Sequence, residues 1–357
     1  MDTPRIVIAG GGTGGHVIPA LAIARVLKEE HGAELLFIGT ARGIETRLVP
    51  AAGFDLELID VGPLKNVTLA TRLSTSLGLP RAILRSRRLV RSFRAQAVLG
   101  VGGYASGPAM LAAVMAGIPC VAFESNVVPG FANRLVARWV TAAAVQFPET
   151  ARHFRNAHIT GTPVRKEFFS LGSREGTGSP TLLVFGGSQG AAPLNRVMME
   201  AAALLNRNIP GLRVLHQTGE RDFEAVLAAY ERAGPNSVVS RFIERMWEAF
   251  AEADLLLCRS GASTVAEVAA AGRPAIFVPF PRAADDHQHR NAEALSKAGA
   301  AVLLPQSELT AHRLVETVRD LLADRARLRS MSEAARRLAH HDAAGAIARL
   351  VMTAAGR

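Results

Sequence analysis

Apolar residues along this chain come in short runs, separated by polar or alanine-rich stretches with helical spacing. RIVIAG, at residues 5–10, is the first; ELLFIG, AVLGVGG, PCVAFES, TAAAVQF and AHITGTP follow. Runs this brief and this uniformly apolar are strands buried on both faces. The stretches between them are then the crossover helices of a parallel sheet. A polar, Gly/Ser-rich link, TPVRKEFFSLGSREGTGSP, interrupts the pattern, which then restarts with TLLVFGGSQG, RVLHQTG, SVVSRFI, ADLLLCRSG, PAIFVPF and AAVLLP. Both halves open as strand, glycine loop and helix: VIAGGGTGGHVIPALAIARVL and LVFGGSQGAAPLNRVMMEAAALL. The expected fold is α/β, two Rossmann-like parallel-sheet domains facing a central cleft. Their expected bounds are residues 1–162 and 163–340, with a last helix over about 341–357 packing back on the first domain. Ligands of open parallel sheets sit beyond the carboxyl ends of the strands.

A length of 357 residues, 49% of them apolar, is enough for two cores. Cys120 and Cys258 lie far apart inside apolar runs, which argues against a disulfide framework and suits a reducing compartment. The first strand begins almost at once and no apolar run nears the ~20 residues of a spanning helix, so a cytosolic location is expected. The net charge of +10 changes the picture more. Such a surface attracts nucleic acid, anionic lipid or phosphorylated small molecules. Residues 81–94, RAILRSRRLVRSFR, carry six arginines and no acid, preceded by LSTSLGL. That composition suits a basic amphipathic helix on anionic lipid, or a core helix with a solvated arginine face. Aromatics make up only 5% and no groove-reading motif is present, so nucleic acid is disfavoured.

Gly10, Gly12 and Gly15 satisfy G-x-G-x-x-G directly after the first run. A dinucleotide fold needs an acid at the end of the next strand to hold a ribose, but ELLFIG ends in Gly39 and Thr40, with Glu34 at its beginning. The physical core of the motif remains: glycine backbone can approach an anion closely, and a helix starting near Val17 presents its N-terminus. His16, where loop meets helix, suits a general base or a hydrogen-bond donor to phosphate. A second glycine loop carries Gly100, Gly102, Gly103, Tyr104, Ser106 and Gly107. Two such loops on one sheet suit a diphosphate; paired turns without a ligand are the alternative. Past PCVAFES, Glu124, Ser125 and Asn126 offer a carboxylate and an amide to sugar hydroxyls, or cap a helix.

In the second half, GTPVR places Arg165 to meet phosphate, and GGSQGA carries Ser188 and Gln189 at a loop tip without the Lys-Ser/Thr of a Walker loop. RSGASTVAE puts Ser260, Gly261, Ser263 and Thr264 at a helix start, an anion site, with Glu267 one turn in to bond ribose hydroxyls. PFPRAADDHQHRNAEAL groups Asp285, Asp286, His287, Gln288 and Asn291, suited to selecting a sugar. No His-x₃-His pair is present, and no metal site is expected.

GGTGGHVIPALAIA, GVGGYASGP, ESN, GFANR, GTPVR, FGGSQGA, RSGASTVAE and ADDHQHRNA occur in the order and spacing of one family. The chain resembles the MurG family of glycosyltransferase family 28, from about Arg5 to beyond Asn291. The resemblance implies a GT-B fold and an inverting transfer of GlcNAc from UDP-GlcNAc to the muramyl 4-hydroxyl of lipid I, giving lipid II for peptidoglycan, without a cofactor. It also implies a peripheral place on the cytoplasmic face of the inner membrane, an anionic membrane surface as partner, and other wall-synthesis proteins nearby. Position by position, it gives the acceptor diphosphate to Gly11, Gly12, Gly15, Gly102, Gly103, Tyr104 and Ser106. It gives the donor to Thr13, Gly14, Asn126, Arg165, Ser188, Ile243, Met246, Ser263, Thr264, Glu267, His287 and Gln288. His16 is the first candidate base and Glu124 the second. The family often has His-Glu-Gln-Asn where this chain has Phe123, Glu124, Ser125 and Asn126, so no role passes to Phe123 or Ser125. A lipid glycosyltransferase with another acceptor, such as diacylglycerol, and a non-catalytic nucleotide-sugar-binding protein are the competing readings.

Overall fold

A computed structural model of the chain describes residues 3–62, 69–172, 174, 178–233 and 236–356; for 69–77 and 233 it describes the backbone alone. The chain divides into two units, Met1–Pro163 with Asp342–Arg357, and Val164–His341. Cys120 and Cys258 are both buried and free.

The first unit is built on seven parallel strands: β1 (Arg5–Ala9), β2 (Glu34–Gly39), β3 (Asp55–Leu58), β4 (Ala97–Gly100), β5 (Cys120–Glu124), β6 (Ala142–Val145) and β7 (Ala157–Ile159). They lie in the order β3-β2-β1-β4-β5-β6-β7. The crossovers include α1 (Gly14–Glu29), α2 (Glu45–Ala51), α3 (Leu69–Ser92), α4 (Ser106–Met115), α5 (Phe131–Val136) and α6 (Pro148–Ala151). Alternation along β1 sets the two layers. Ile6 and Ile8 meet Val17, Ile23 and Leu27 of α1, while Val7 and Ala9 meet Leu89 and Val90 of α3 and Met110 of α4.

In the second unit, α7 (Lys166–Phe169) precedes six parallel strands: β8 (Thr181–Phe185), β9 (Arg213–Gln217), β10 (Asn236–Ser240), β11 (Leu255–Cys258), β12 (Ala275–Phe277) and β13 (Ala301–Leu303), ordered β10-β9-β8-β11-β12-β13. Its further helices are α8 (Ala192–Asn208), α9 (Phe223–Ala233), α10 (Met246–Glu252), α11 (Ala262–Ala271), α12 (His287–Lys297), α13 (Ala311–Ala323) and α14 (Arg325–Arg337). Leu194 and Met198 of α8 and Leu314 and Val318 of α13 pack on Leu182, Val184 and Leu257.

Strand order reverses between β1 and β4 in one sheet and between β8 and β11 in the other. These are the crevices where open parallel sheets bind ligands, and the glycine loops after β1, β4 and β8 open onto them. Two local expectations need correction. β3, with sequence DLEL, was absent from the apolar runs. It is a partly exposed edge strand, so nothing requires continuous apolar residues. α1 begins at Gly14 rather than near Val17, so His16 lies in its first turn.

A last helix, α15 (Ala343–Ala354), completes the first unit. Ile347, Ala348 and Val351, all fully buried, lie in the same core as Ile6, Leu99 and Val121. Ile347→Ala is expected to lower the unfolding free energy by about 2–5 kcal/mol in urea titration. A loss below about 1 kcal/mol would show that α15 does not close this core.

Candidate active site

In the first unit, the loops after β1 and β4 interlock. A Cβ on Gly103 would stand 2.3 Å from Gly11 O, and one on Gly10 would stand 2.3 Å from Gly102 O. Backbone contact this close requires glycine. It also engages the loop amides: Gly10 N–H donates to Ile38 O (3.0 Å), Gly11 N–H to Gly102 O (3.2 Å) and Gly12 N–H to Glu45 Oε2 (2.7 Å). Gly11 and Gly12, expected at a diphosphate, thus give their N–H groups to acceptors within the protein. In the first turn of α1, Gly14 and Gly15 come ahead of the bonds that His16 and Val17 N–H make to Thr13 O, the place where a helix start has amides to offer an anion. Thr13 is exposed at the N-cap, in extended conformation.

Tyr104, 51% exposed, stands out from the second loop. Ser106 is fully buried, with its hydroxyl enclosed beneath Gly100 and without a hydrogen-bond partner. Expected at a diphosphate, it opens α4 with its side chain on the inner face.

The His16 ring packs on Gly102, where a Cβ would lie 2.9 Å from Nε2. Its Nδ1 lies 3.1 Å from Gly11 O and 3.4 Å from Thr13 Oγ1. A carbonyl only accepts, so Nδ1 carries the proton, and in the neutral ring the lone pair then lies on Nε2. Glu124, at the end of β5, is buried and saturated. Oε1 accepts from Asn126 N and Nδ2 (both 3.0 Å), Oε2 from Gly130 N (2.8 Å) and Asn133 Nδ2 (3.0 Å). Four donors fill the lone-pair sites of a carboxylate, so Glu124 braces the loop that carries Asn126.

In the second unit, three adjacent strand ends are tied together. Gly190 lies so close to the next loop that a Cβ would stand 1.8 Å from Thr218 O, and Ser188 is exposed between it and Gly187. Gln217, the buried last residue of β9, donates from Nε2 to Gly187 O (2.9 Å) and accepts at Oε1 from Ile243 N (2.9 Å). Its one amide thus links the loop after β8 to the segment after β10. Met246 opens α10, and its neighbour Trp247 lies 5.3 Å from the exposed Arg165 guanidinium, within cation–π range.

Gly261 caps α11, whose first turn holds Ser263 and Thr264; Ser263 Oγ is enclosed without a partner. One turn on, burial raises the Glu267 carboxyl to about 7, opposed by the charge of Arg165. Ser260 fastens this helix start to that of α12, because its Oγ donates to Gln288 O (2.8 Å) and its carbonyl accepts from Asn291 Nδ2 (3.2 Å). Gln288 Oε1 accepts from Phe280 N (3.0 Å), and His287 Nδ1 donates to Ala284 O (2.8 Å). Asp285 and Asp286 hold φ of 52° and 54°. Two left-handed non-glycine residues in succession are strained, as loops that present ligand groups often are.

Each expected site residue therefore lies at a strand end or helix start. The first unit gathers the expected acceptor residues with Thr13, Gly14, Asn126, His16 and Glu124. The second gathers the remaining expected donor residues. Glu45, Gln217 and Trp247 were missed. Glu45 and Gln217 act by folding back onto backbone, for which spacing carries no signal; Trp247, one of two tryptophans beside Met246, was findable.

The glycosyltransferase family 28 N-terminal domain matches residues 6–145, and the family's C-terminal domain matches residues 181–349. The chain is similar to proteins named UDP-N-acetylglucosamine–N-acetylmuramyl-(pentapeptide) pyrophosphoryl-undecaprenol N-acetylglucosamine transferase. The one from Anaeromyxobacter dehalogenans is 45% identical over 98% of this chain and 92% of its own length. The one from Syntrophotalea carbinolica is 43% identical over 99% of each. Among solved structures, Acinetobacter baumannii MurG superposes with a TM-score of 0.86 at 34% identity, over 98% of this chain and 99% of that one. A kitacinnamycin glycosyltransferase shares the fold at 18% identity and a TM-score of 0.74.

The raised Glu267 has a sign that stability reports. Between its ordinary value of 4.5 and about 7, the folded chain keeps a proton that the unfolded chain has released. The group's stabilisation is full below 4.5 and lost as pH rises through about 7. Glu267→Gln lacks this loss, so its stability relative to wild type is expected to rise by up to about 3 kcal/mol between about pH 4.5 and pH 8 in urea titration. A pH-independent difference would show a solvated carboxyl.

Proposed function

The chain belongs to glycosyltransferase family 28, and on that premise we propose how its residues carry the reaction. It is a hexosyltransferase that moves GlcNAc from UDP-GlcNAc to undecaprenyl-pyrophosphoryl-MurNAc-pentapeptide, making lipid II for the cell wall. The observation that carries this is near-full-length identity with transferases of that printed activity.

The acceptor diphosphate lies against the first turn of α1, at Gly14 and Gly15, and the Gly102–Gly103 loop, with Tyr104 beside it. His16 Nε2, with its lone pair fixed by the Nδ1–Gly11 bond, takes the proton of the muramyl 4-hydroxyl. The hydroxyl oxygen forms the new bond to the anomeric carbon as the bond to UDP breaks, and UDP leaves with that electron pair, inverting the centre. The leaving diphosphate is met by Arg165, the Ser188 loop and the helix start at Ser263 and Thr264. Glu267 takes the ribose hydroxyls, and Ile243 and Met246 lie near the uracil or ribose. In the second unit the sugar falls to Gln288 and His287; in the first, the donor residues are Asn126, Thr13 and Gly14.

The α3 surface supports membrane association at the cytoplasmic face. Arg81, Leu84, Arg85, Arg88 and Arg91 are exposed on α3, which packs on α4, as α4 does on α5. Met115 at the end of α4, and Phe131, Leu135, Arg138 and Trp139 on and after α5, are exposed as well. Apolar side chains among arginines suit the boundary of an anionic bilayer. Among the described residues, no helix is long and apolar enough to cross a membrane.

Incubation with UDP-GlcNAc and a lipid I analogue is expected to yield the disaccharide product and UDP; transfer only to another acceptor, such as diacylglycerol, would overturn the reading. His16→Ala is expected to lower kcat about 10²–10⁴-fold with UDP binding intact. A much smaller loss would remove His16 as base. The protein is expected to sediment with anionic vesicles, less so in high salt, and Trp139→Ala with Leu84→Ala to weaken this. Equal binding to neutral vesicles would remove the electrostatic part.

A further inference from the structure

Glu45 is a buried acid that the transfer mechanism above does not use. It opens α2, is 1% exposed, and lies inside the first unit under the loop after β1. Oε1 accepts from Thr40 N and Thr40 Oγ1, both at 2.9 Å, and Oε2 accepts from Gly12 N at 2.7 Å. A Cβ on Gly11, Gly39 or Gly43 would fall 2.3, 2.7 or 1.9 Å from the Glu45 side chain. Three glycines therefore leave room for this carboxylate and hold it in one place.

Gly12 N–H belongs to the same peptide group as Gly11 C=O, and Gly11 O accepts from His16 Nδ1. The atoms run in one line of donation: imidazole N–H to carbonyl, then amide N–H to carboxylate. We propose that Glu45 is a positioning residue that acts on His16 through the Gly11–Gly12 peptide. The proposal rests on the reading of His16 as base. An anion on the N–H side polarises the peptide and makes its carbonyl a stronger acceptor, because bonds in such a chain reinforce one another. The bond to the carboxylate is charge-assisted, and its 2.7 Å length is in that range. The stronger carbonyl holds His16 in the tautomer with the lone pair on Nε2. It also stabilises the imidazolium formed when Nε2 takes the acceptor's proton. The arrangement is the carboxylate–imidazole pair of a hydrolase triad with one peptide unit inserted.

Thr13 Oγ1, at 3.4 Å, is neutral, the first turn of α1 holds no acid, and Gly102 offers backbone alone. Of the titratable groups on the neighbouring segments, Glu45 and the exposed Arg47 come from α2, the exposed Arg42 from the loop before it, and Tyr104, with its side chain exposed, from the loop after β4.

The test is Glu45→Gln, which keeps size and removes charge, in the full chain with UDP-GlcNAc and a lipid I analogue. The expected result is a fall in kcat of about 10–100-fold, the scale for losing an imidazole's orienting partner. KM for UDP-GlcNAc should be unchanged, and the acid limb of the kcat–pH profile should shift to lower pH. In the His16→Ala background the same substitution should change kcat less than about two-fold, since coupled residues are not additive. Equal losses in both backgrounds, or an unmoved acid limb, would leave Glu45 a packing residue and overturn the proposal. A near-normal His16→Ala would instead overturn the base assignment beneath it. Should Glu45→Gln not fold, nitrogen-15 NMR of the wild-type imidazoles decides, with His16 assigned by its absence in His16→Ala. Neutral His16 protonated on Nδ1 supports the relay, and protonation on Nε2 overturns it.

Discussion

Backbone touching backbone at the strand ends is the constraint on which both sites depend. In the first unit, Gly103 meets Gly11 O; in the second, Gly190 meets Thr218 O. A single Cβ at either place would push a loop away from its neighbour. The contacts lie at the crevices where strand order reverses, so the same glycines that let the sheets close also shape the ligand floor. In the first unit the consequence is directional. Once the loop is seated, the Gly11 carbonyl points at the imidazole and the amides of Gly10 to Gly12 turn inward. Under the proposed function, anion recognition then falls to the helix start behind them.

The second unit solves a different problem with the same material. Its ligand groups come from separate strand ends and helix starts, and each must keep its place relative to the next. Gln217 does this along one row, with its two amide atoms reaching Gly187 and Ile243. Ser260 does it along the other, reaching both Gln288 and Asn291. Arg259 adds a third tie, donating to Val278 O, Pro279 O and Gln306 Oε1 from a buried position. Neutral amides and hydroxyls hold the first two rows without adding charge to them, and Arg259 brings one positive charge to the third.

Sequence pattern made the two parallel sheets legible, because buried parallel strands must be short apolar runs. It failed at β3, whose edge position relaxes that demand, and at the start of α1, where glycines conceal a helical turn. Site residues were legible as a set, since glycines, hydroxyls and acids cluster after strands. Their roles were less so. Ser106 and Tyr104 are two residues apart in one motif, yet one side chain is enclosed and the other exposed. Glu124 reads as a reactive carboxylate until its four donors are seen. The acid missing from the end of β2 is supplied in space by Glu45, turned toward the loop rather than toward a ribose. Orientation of this kind depends on tertiary contacts that no local pattern encodes.

The placement of α15 also bears on how the molecule comes into being. Val164–His341 sits as an insertion in the chain path of the other unit, which resumes at Asp342. Ile347 and Val351 share a core with Ile6 and Ile8, partners more than three hundred residues earlier. During synthesis the early strands must wait with one apolar face uncovered, while the inserted unit has all its own strands and can fold first. The first unit is therefore the last to close, and a chain cut short before α15 emerges would expose the apolar face that chaperones and proteases recognise.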